Sequence, residues 1–331
     1  MVPNPVSIKR DGPLFVGGML MGAANIVPGV SGGTVALILG FYARLVTAIS
    51  RVDLTLTRLL RTKAWRQAAE HLDLWFLSVL AAGNAAGILG LATLMHYLLV
   101  YQRTATYAAF FGLIIGSSVL VGRMVRRWHI SSIVCLLGAT GFAFVLVGLP
   151  ALSTPPEGLL YLFVCGVVSI CAMILPGISG SFVLLIMGKY ELVTGILRDL
   201  VHGEVHRATV LILLVFAAGC VVGLLAFAKL LRWLLIHFES QTLAFLCGLM
   251  LGSLRKLWPF PEGLPAPLDA TAALALTIAV CGAAAVFLLD WLAQRRRSSE
   301  SASEADGQRT RQPLMASRNQ PGSQETDTSS N

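Results

Sequence analysis

The stretch NIVPGVSGGTVALILG, residues 25–40, decides how this chain folds. A proline, four glycines and a serine interrupt a long apolar region. In lipid, a helix satisfies its backbone groups internally, and non-helical backbone survives only where protein or water covers it. An interruption here therefore marks a built feature.

The surrounding composition makes the membrane reading firm. Of 331 residues, 56% are hydrophobic and 13% charged, about half the charged share of a soluble domain. Residues 74–94, 210–228 and 270–289 each run about twenty residues with almost no charge, enough to span a bilayer as helix. The six cysteines lie in or beside apolar segments without a CxxC pair and read as small buried hydrophobes, not a disulfide frame or zinc site. The net charge of +8 is no nucleic-acid footprint, because much of the excess lies in short flanking loops.

The opening stretch has a second copy. MILPGISGSFVLLIMGKY, residues 173–190, aligns with residues 25–42 at an offset of 148. Pro28, Gly29, Ser31, Gly32, Gly40 and Tyr42 recur as Pro176, Gly177, Ser179, Gly180, Gly188 and Tyr190. Gly18 recurs as Gly166. Further on, AAGNAAGIL (81–89) meets AAGCVVGLL (217–225), and Gly112, Gly116 and Ser117 meet Gly248, Gly252 and Ser253. Three blocks in one order are a duplication covering most of the chain.

The expected fold is an all-α polytopic membrane protein of two inverted-topology repeats, each a re-entrant helical hairpin plus three transmembrane helices. A cytoplasmic N-terminus, 1–13, precedes the first repeat, 14–149. That repeat holds the broken hairpin 14–49, a basic cytoplasmic loop 50–73, and spans 74–100, 105–120 and 130–149. The second repeat, 159–292, holds the broken hairpin 159–197 and spans 210–236, 243–257 and 270–292. The first hairpin's arms, about 14 and 17 residues, would measure roughly 21 and 25 Å, short for two crossings. Each half then crosses an odd number of times, which inverts the second. With the N-terminus inside, Arg51, Arg58, Arg61, Lys63, Arg66, Arg123, Arg126, Arg127 and Arg295–Arg297 are cytoplasmic, as the positive-inside rule demands. Arg103, the proline-rich 150–158, the mixed loop from Arg198 to Arg207, and Arg255 with Lys256 fall outside. Residues 298–331 are polar and read as a disordered cytoplasmic tail. The basic stretch before residue 74 fits either an interfacial helix or a solvated loop.

Helices broken inside a membrane expose amide N–H groups and a positive dipole end, an anion site that needs no buried lysine. Glycine lets a ligand approach the backbone. The candidate phosphate-binding residues are Pro28, Gly29, Ser31, Gly32, Gly33 and Thr34 in the first loop. Pro176, Gly177, Ser179, Gly180 and Ser181 are their counterparts in the second. Paired broken helices in inverted repeats point to an alternating-access transporter site, although a kink or packing notch is the bland reading of one copy. Arg44 and Lys189 follow the breaks and either neutralise a phosphate or snorkel at a helix end.

These two loops, with their flanks GAANIVPGVSGGTVALILGFYARLVTAI and ILPGISGSFVLLIMGKYELV, resemble the polyprenyl-phosphate transporter family of bacterial membrane proteins. The resemblance covers about residues 12–293. It implies a flippase in the bacterial cytoplasmic membrane, both termini inside, returning undecaprenyl phosphate from the outer to the inner leaflet for cell-envelope and peptidoglycan synthesis. It implies a polyprenyl-phosphate lipid partner among membrane lipids, no nucleic acid, no cofactor and no enzymatic activity, with a proton or sodium gradient as the candidate coupling source. A homo-oligomer stays open. The family pattern carries Asp at the position of Asn25 and an acid at that of Ala43, so Asn25 is a candidate coupling position that departs from it. A small-anion transporter fits the same loops. A polyprenyl-diphosphate phosphatase shares PGxS loops but needs an arginine after the serine and an acidic cluster; Gly32 and Gly180 stand there instead.

Overall fold

A computed structural model describes residues 11–26, 31–201, 207–260, 270–288 and 290–291. Pro28 and Gly29 of the first loop, the first ten residues and the tail 298–331 lie outside them. The chain divides into two units, Met1–Val286 and Phe287–Asn331. In the second, Phe287, Leu288, Asp290 and Trp291 are described and helical.

The described residues form helices and no strand. The first half comprises α1 (Asp11–Ile26), α2 (Gly32–Ile38), α3 (Tyr42–Ser50), α4 (Leu54–Arg61), α5 (Trp65–Leu72), α6 (Leu74–Tyr101), α7 (Arg103–Met124) and α8 (Ile130–Leu146). The second comprises α9 (Leu159–Ile174), α10 (Gly180–Ile186), α11 (Tyr190–Val201), α12 (Arg207–His237), α13 (Glu239–Ser253) and α14 (Ala270–Leu288). Four of these, α6, α7, α12 and α14, are long and apolar enough to cross a membrane. Leu89, Ile130, Leu160 and Leu214 are exposed apolar side chains that lipid would cover. This is an α-helical polytopic membrane protein.

Of the other two expected plain spans, 130–149 is a shorter helix and 243–257 begins four residues earlier, at Glu239. Helix α8 has 17 residues and stops in the tight turn 147–149 before Pro150. Helix α13 has 15 residues and unwinds into successive i→i+3 turns through Leu257. Its side chains Leu246, Leu249 and Met250 are fully enclosed.

The broken segments also differ from expectation. The second arm is not one helix of about 17 residues but two. Helix α2 has seven residues, and α3 leaves it bent by 118°. Gly40, with φ 78°, makes the turn. Its N–H donates to the Leu37 carbonyl and that of Phe41 to the Ala36 carbonyl, the two bonds of a Schellman cap. The second half repeats the device: Gly188 has φ 68°, its N–H donates to the Leu185 carbonyl, and that of Lys189 to the Leu184 carbonyl. Only glycine takes this left-handed conformation without steric cost, so the recurring Gly40 and Gly188 are helix terminators.

The basic stretch before α6 is helical. Asp53 caps α4 by accepting from the Leu56 N–H at 3.0 Å, and the His71 ring on α5 lies 3.2 Å from the same carboxylate. Leu54, Leu60 and Trp65 are exposed beside Arg58, Arg61 and Arg66, the composition of an interfacial amphipathic pair.

Backbones come together at glycines, and the contacts recur between halves. A methyl group on Gly83 of α6 would fall 2.3 Å from the Phe15 carbonyl oxygen of α1; one on Gly219 of α12 would fall 2.2 Å from that of Phe163 of α9. Gly87 meets Met19 and Gly223 meets Val167 in the same way. Small residues allow such close packing where no hydrophobic effect drives helices together. The remaining helices pair across the halves. Gly112 and Gly116 of α7 abut Ala279 and Ala283 of α14, while Gly248 and Gly252 of α13 abut Leu136 and Thr140 of α8. Each half's last helix thus packs against the other half.

Candidate functional site

Helix α2 begins at Ser31, whose backbone is extended, as an N-cap requires. Its hydroxyl accepts from the Gly33 N–H at 3.1 Å, and the Asn25 Oδ1 accepts from the Gly32 N–H at 2.9 Å. The Thr34 N–H donates to the Ser31 carbonyl. A side chain at Gly32 would meet the Asn25 carboxamide at 2.8 Å. The leading amides of this loop are thus engaged within the protein, and Gly32, Gly33 and Thr34 are buried.

The second loop is organised differently. Met173 occupies the position of Asn25 and offers no amide acceptor. Ser179 makes no side-chain cap; its hydroxyl pairs with that of Ser181 at 2.8 Å. Among the described residues, the N–H groups of Gly180, Ser181 and Phe182 have no protein acceptor. Ser181 is exposed, and Pro176 is fully buried. Gly177, at φ 87°, passes so close to α13 that a methyl group would lie 2.9 Å from the Met250 Cα.

The two loops meet. The Gly177 N–H donates to the Thr34 hydroxyl at 2.9 Å, the Ser31 hydroxyl to the Met173 carbonyl at 3.1 Å, and the Tyr42 hydroxyl to the Ile174 carbonyl at 3.2 Å. All three end on residues 173–177, where α9 has stopped and its last carbonyls need partners. The contact is one-sided: Tyr42 is buried, whereas its counterpart Tyr190 is exposed.

Of the sequence-predicted residues, Asn25, Ser31, Gly32, Gly33, Thr34, Pro176, Gly177, Ser179, Gly180 and Ser181 gather here, while Pro28 and Gly29 lie outside the described residues. Arg44 and Lys189 are not brought to the loops. Each follows the Schellman turn, beyond a seven-residue helix of about 10 Å. Arg44 forms a bidentate pair with Asp73, 2.6 and 3.0 Å, and stacks 4.2 Å over Phe76. Lys189 lies 5.7 Å over the Tyr161 ring. A different cation reaches the second loop: the Lys256 Nζ sits 4.6 Å over the ring of Phe182, in the first turn of α10. Its sequence position showed only an outside charge, because 74 residues separate it from Phe182. Among the described residues no three His, Cys, Asp or Glu gather in a metal-binding group.

Broken helices joined at a polar contact inside an apolar bundle define a class of integral membrane proteins with interrupted helices. Within that class, the chain belongs to the family described as VCA0040-like, undecaprenyl phosphate translocase-like, which matches residues 21–274. It is 39% identical over 250 residues to the polyprenyl-phosphate transporter of Vibrio cholerae serotype O1, covering 76% of this chain and 78% of that protein. It is 29% identical over 259 residues to the polyprenyl-phosphate transporter of Staphylococcus aureus, covering 75% and 85%. No solved structure matches. The family expected from the two loops is the family found.

Proposed function

We propose that this chain is a flippase carrying a polyprenyl phosphate, undecaprenyl phosphate, from the outer to the inner leaflet of the bacterial cytoplasmic membrane, for reuse in envelope and peptidoglycan synthesis. The observation that carries this reading is the hydrogen-bonded meeting of the two broken loops. Their hydroxyls and amides suit a phosphate headgroup. The names of both relatives support the substrate class.

The hairpins are re-entrant in this reading. Helix α1, 16 residues or about 24 Å, reaches past the midplane; α2, about 10 Å, cannot leave by the far face. Recurrence of the glycine contacts supports two repeats, and the positive-inside rule supports their inversion with both termini cytoplasmic. The proposed headgroup site comprises Ser31, Gly32, Gly33 and Thr34 of the first loop and Pro176, Gly177, Ser179, Gly180 and Ser181 of the second; the expected members Pro28 and Gly29 lie outside the described residues. The isoprenoid tail stays in lipid. The outer face of α8 carries an apolar depression lined by Gly141, Phe142, Val145, Leu146 and Leu149. Leu146 also packs against the buried cluster that includes Ile178 and Val183 of the second hairpin. Asn25, as an uncharged cap, leaves proton or sodium coupling to a group elsewhere.

The test is deletion of the gene in its host, with surface undecaprenyl phosphate read by a headgroup-specific probe. The pool rises if the reading holds; an unchanged pool refutes it.

A further inference from the structure

A phosphate taken into an apolar bundle brings one to two negative charges, and a cation beside the helix-end amides would lower the cost of burying them. The sequence offered Arg44 and Lys189 for that role, and both stand elsewhere. Arg255 is also committed: its guanidinium donates to the Phe144 carbonyl at 2.9 Å and stacks 4.5 Å from the Phe144 ring. Lys256 differs. It is half-buried, stands over Phe182, and among the described residues has no hydrogen-bond acceptor or carboxylate partner. The backbone around it is fixed: its N–H donates to the Ser253 carbonyl, and Leu257 is fully buried.

A second observation lies on α9, against Gly180 of the same loop. The Ser169 hydroxyl on α9 is buried, with the residue 6% exposed, and has no hydrogen-bond partner. The carbonyl of the same residue would lie 2.5 Å from a methyl group on Gly180. An unsatisfied buried hydroxyl asks for an explanation, and an absent ligand supplies one. The second loop thus has a cation over Phe182, an unpartnered hydroxyl on the residue whose carbonyl abuts Gly180, and the Ser179–Ser181 hydroxyl pair.

We infer that Lys256 is the charge that selects an anionic headgroup at the second loop, and that this loop, not the self-capped first one, takes the phosphate. The inference deepens the flippase reading and rests on it. In the orientation proposed above, Lys256 faces the outer leaflet, where the substrate is collected. A mobile ammonium suits transient capture, because it holds a phosphate as a point charge without the fork geometry of arginine.

The test uses the full-length protein in nanodiscs, with farnesyl phosphate and farnesol as probes and affinity read by microscale thermophoresis. Wild type should prefer farnesyl phosphate. Lys256→Met should lose that preference by about ten- to a hundred-fold, as for a hydrogen bond to a charged group, with farnesol binding unchanged. Lys256→Arg should keep most of it. Lys256→Gln, an uncharged polar side chain one bond shorter, should behave as Lys256→Met and stands in if the latter does not fold. Equal loss for both probes would mean a structural role and overturn the inference. So would undiminished phosphate preference in Lys256→Met and Lys256→Gln, with the flippase reading left standing. A wild-type protein that does not distinguish farnesyl phosphate from farnesol would overturn that reading and the inference together.

Discussion

The Thr34 hydroxyl accepts the Gly177 N–H at 2.9 Å, joining residues 143 positions apart where both loops are buried. Thr34→Val keeps the shape and removes the acceptor, leaving the Gly177 N–H unsatisfied. The expected loss is about 1–3 kcal/mol, read by denaturant unfolding in detergent, with Thr34→Ser close to wild type.

The Asn25 cap gives a second prediction. Asn25→Leu removes the acceptor for the Gly32 N–H and should cost about 1 kcal/mol, the usual worth of an N-terminal cap. Asn25→Asp keeps an acceptor and restores the acid that the family resemblance leads one to expect. Thermal melts in detergent should place Asn25→Leu below wild type and Asn25→Asp close to it.

The glycine contacts predict a matched pair. Gly83→Ala and Gly219→Ala each push a methyl group to within 2.3 Å of a carbonyl oxygen, so each should destabilise by about 1–3 kcal/mol or more. Gly138→Ala, on the same class of helix but facing open space, should be neutral. Unfolding midpoints of the three variants check this.

Arg44 and Asp73 should behave as a surface pair. Their side chains are 42% and 21% exposed, so a double-mutant cycle should return about 1 kcal/mol or less. Arg44→Gln should leave farnesyl phosphate affinity unchanged in the binding assay.

Asp53 supplies a pH prediction outside the membrane. The Leu56 N–H holds its carboxyl below the ordinary carboxylate value; desolvation opposes that, and His71 assists it. The stability it lends α4 is fully present above the unfolded pKa, about 3.9, and disappears as pH falls through the lower folded value. Amide exchange at Leu56 should accelerate only in that acid window.

Much of this was legible because the duplication states each feature twice. The broken loops, the glycine seams and the membrane class follow from residues that recur at fixed offsets. What stayed hidden has physical reasons. Gly40 and Gly188 were visible as repeat positions, but their left-handed turn depends on backbone geometry that an apolar run does not announce. The neighbours of Arg44 and Lys256 are set by tertiary packing, so one cation beside the loop motif lies off the site and another, far along the chain, stands over it. The self-capping of the first loop depends on Asn25, a single polar residue whose carboxamide could equally have bonded a neighbouring helix.

The exchanged pairing of α7 with α14 and α8 with α13 has a consequence for biogenesis. As the chain leaves the ribosome, α7 and α8 enter the membrane without the helices they will finally pack against. They wait through synthesis of the second hairpin and α12. The first half is therefore an incomplete product, its Gly112 and Gly116 seam open to lipid or to another nascent chain. Closure is late and long-range, and it cannot begin until the duplicated half has followed the original into the bilayer.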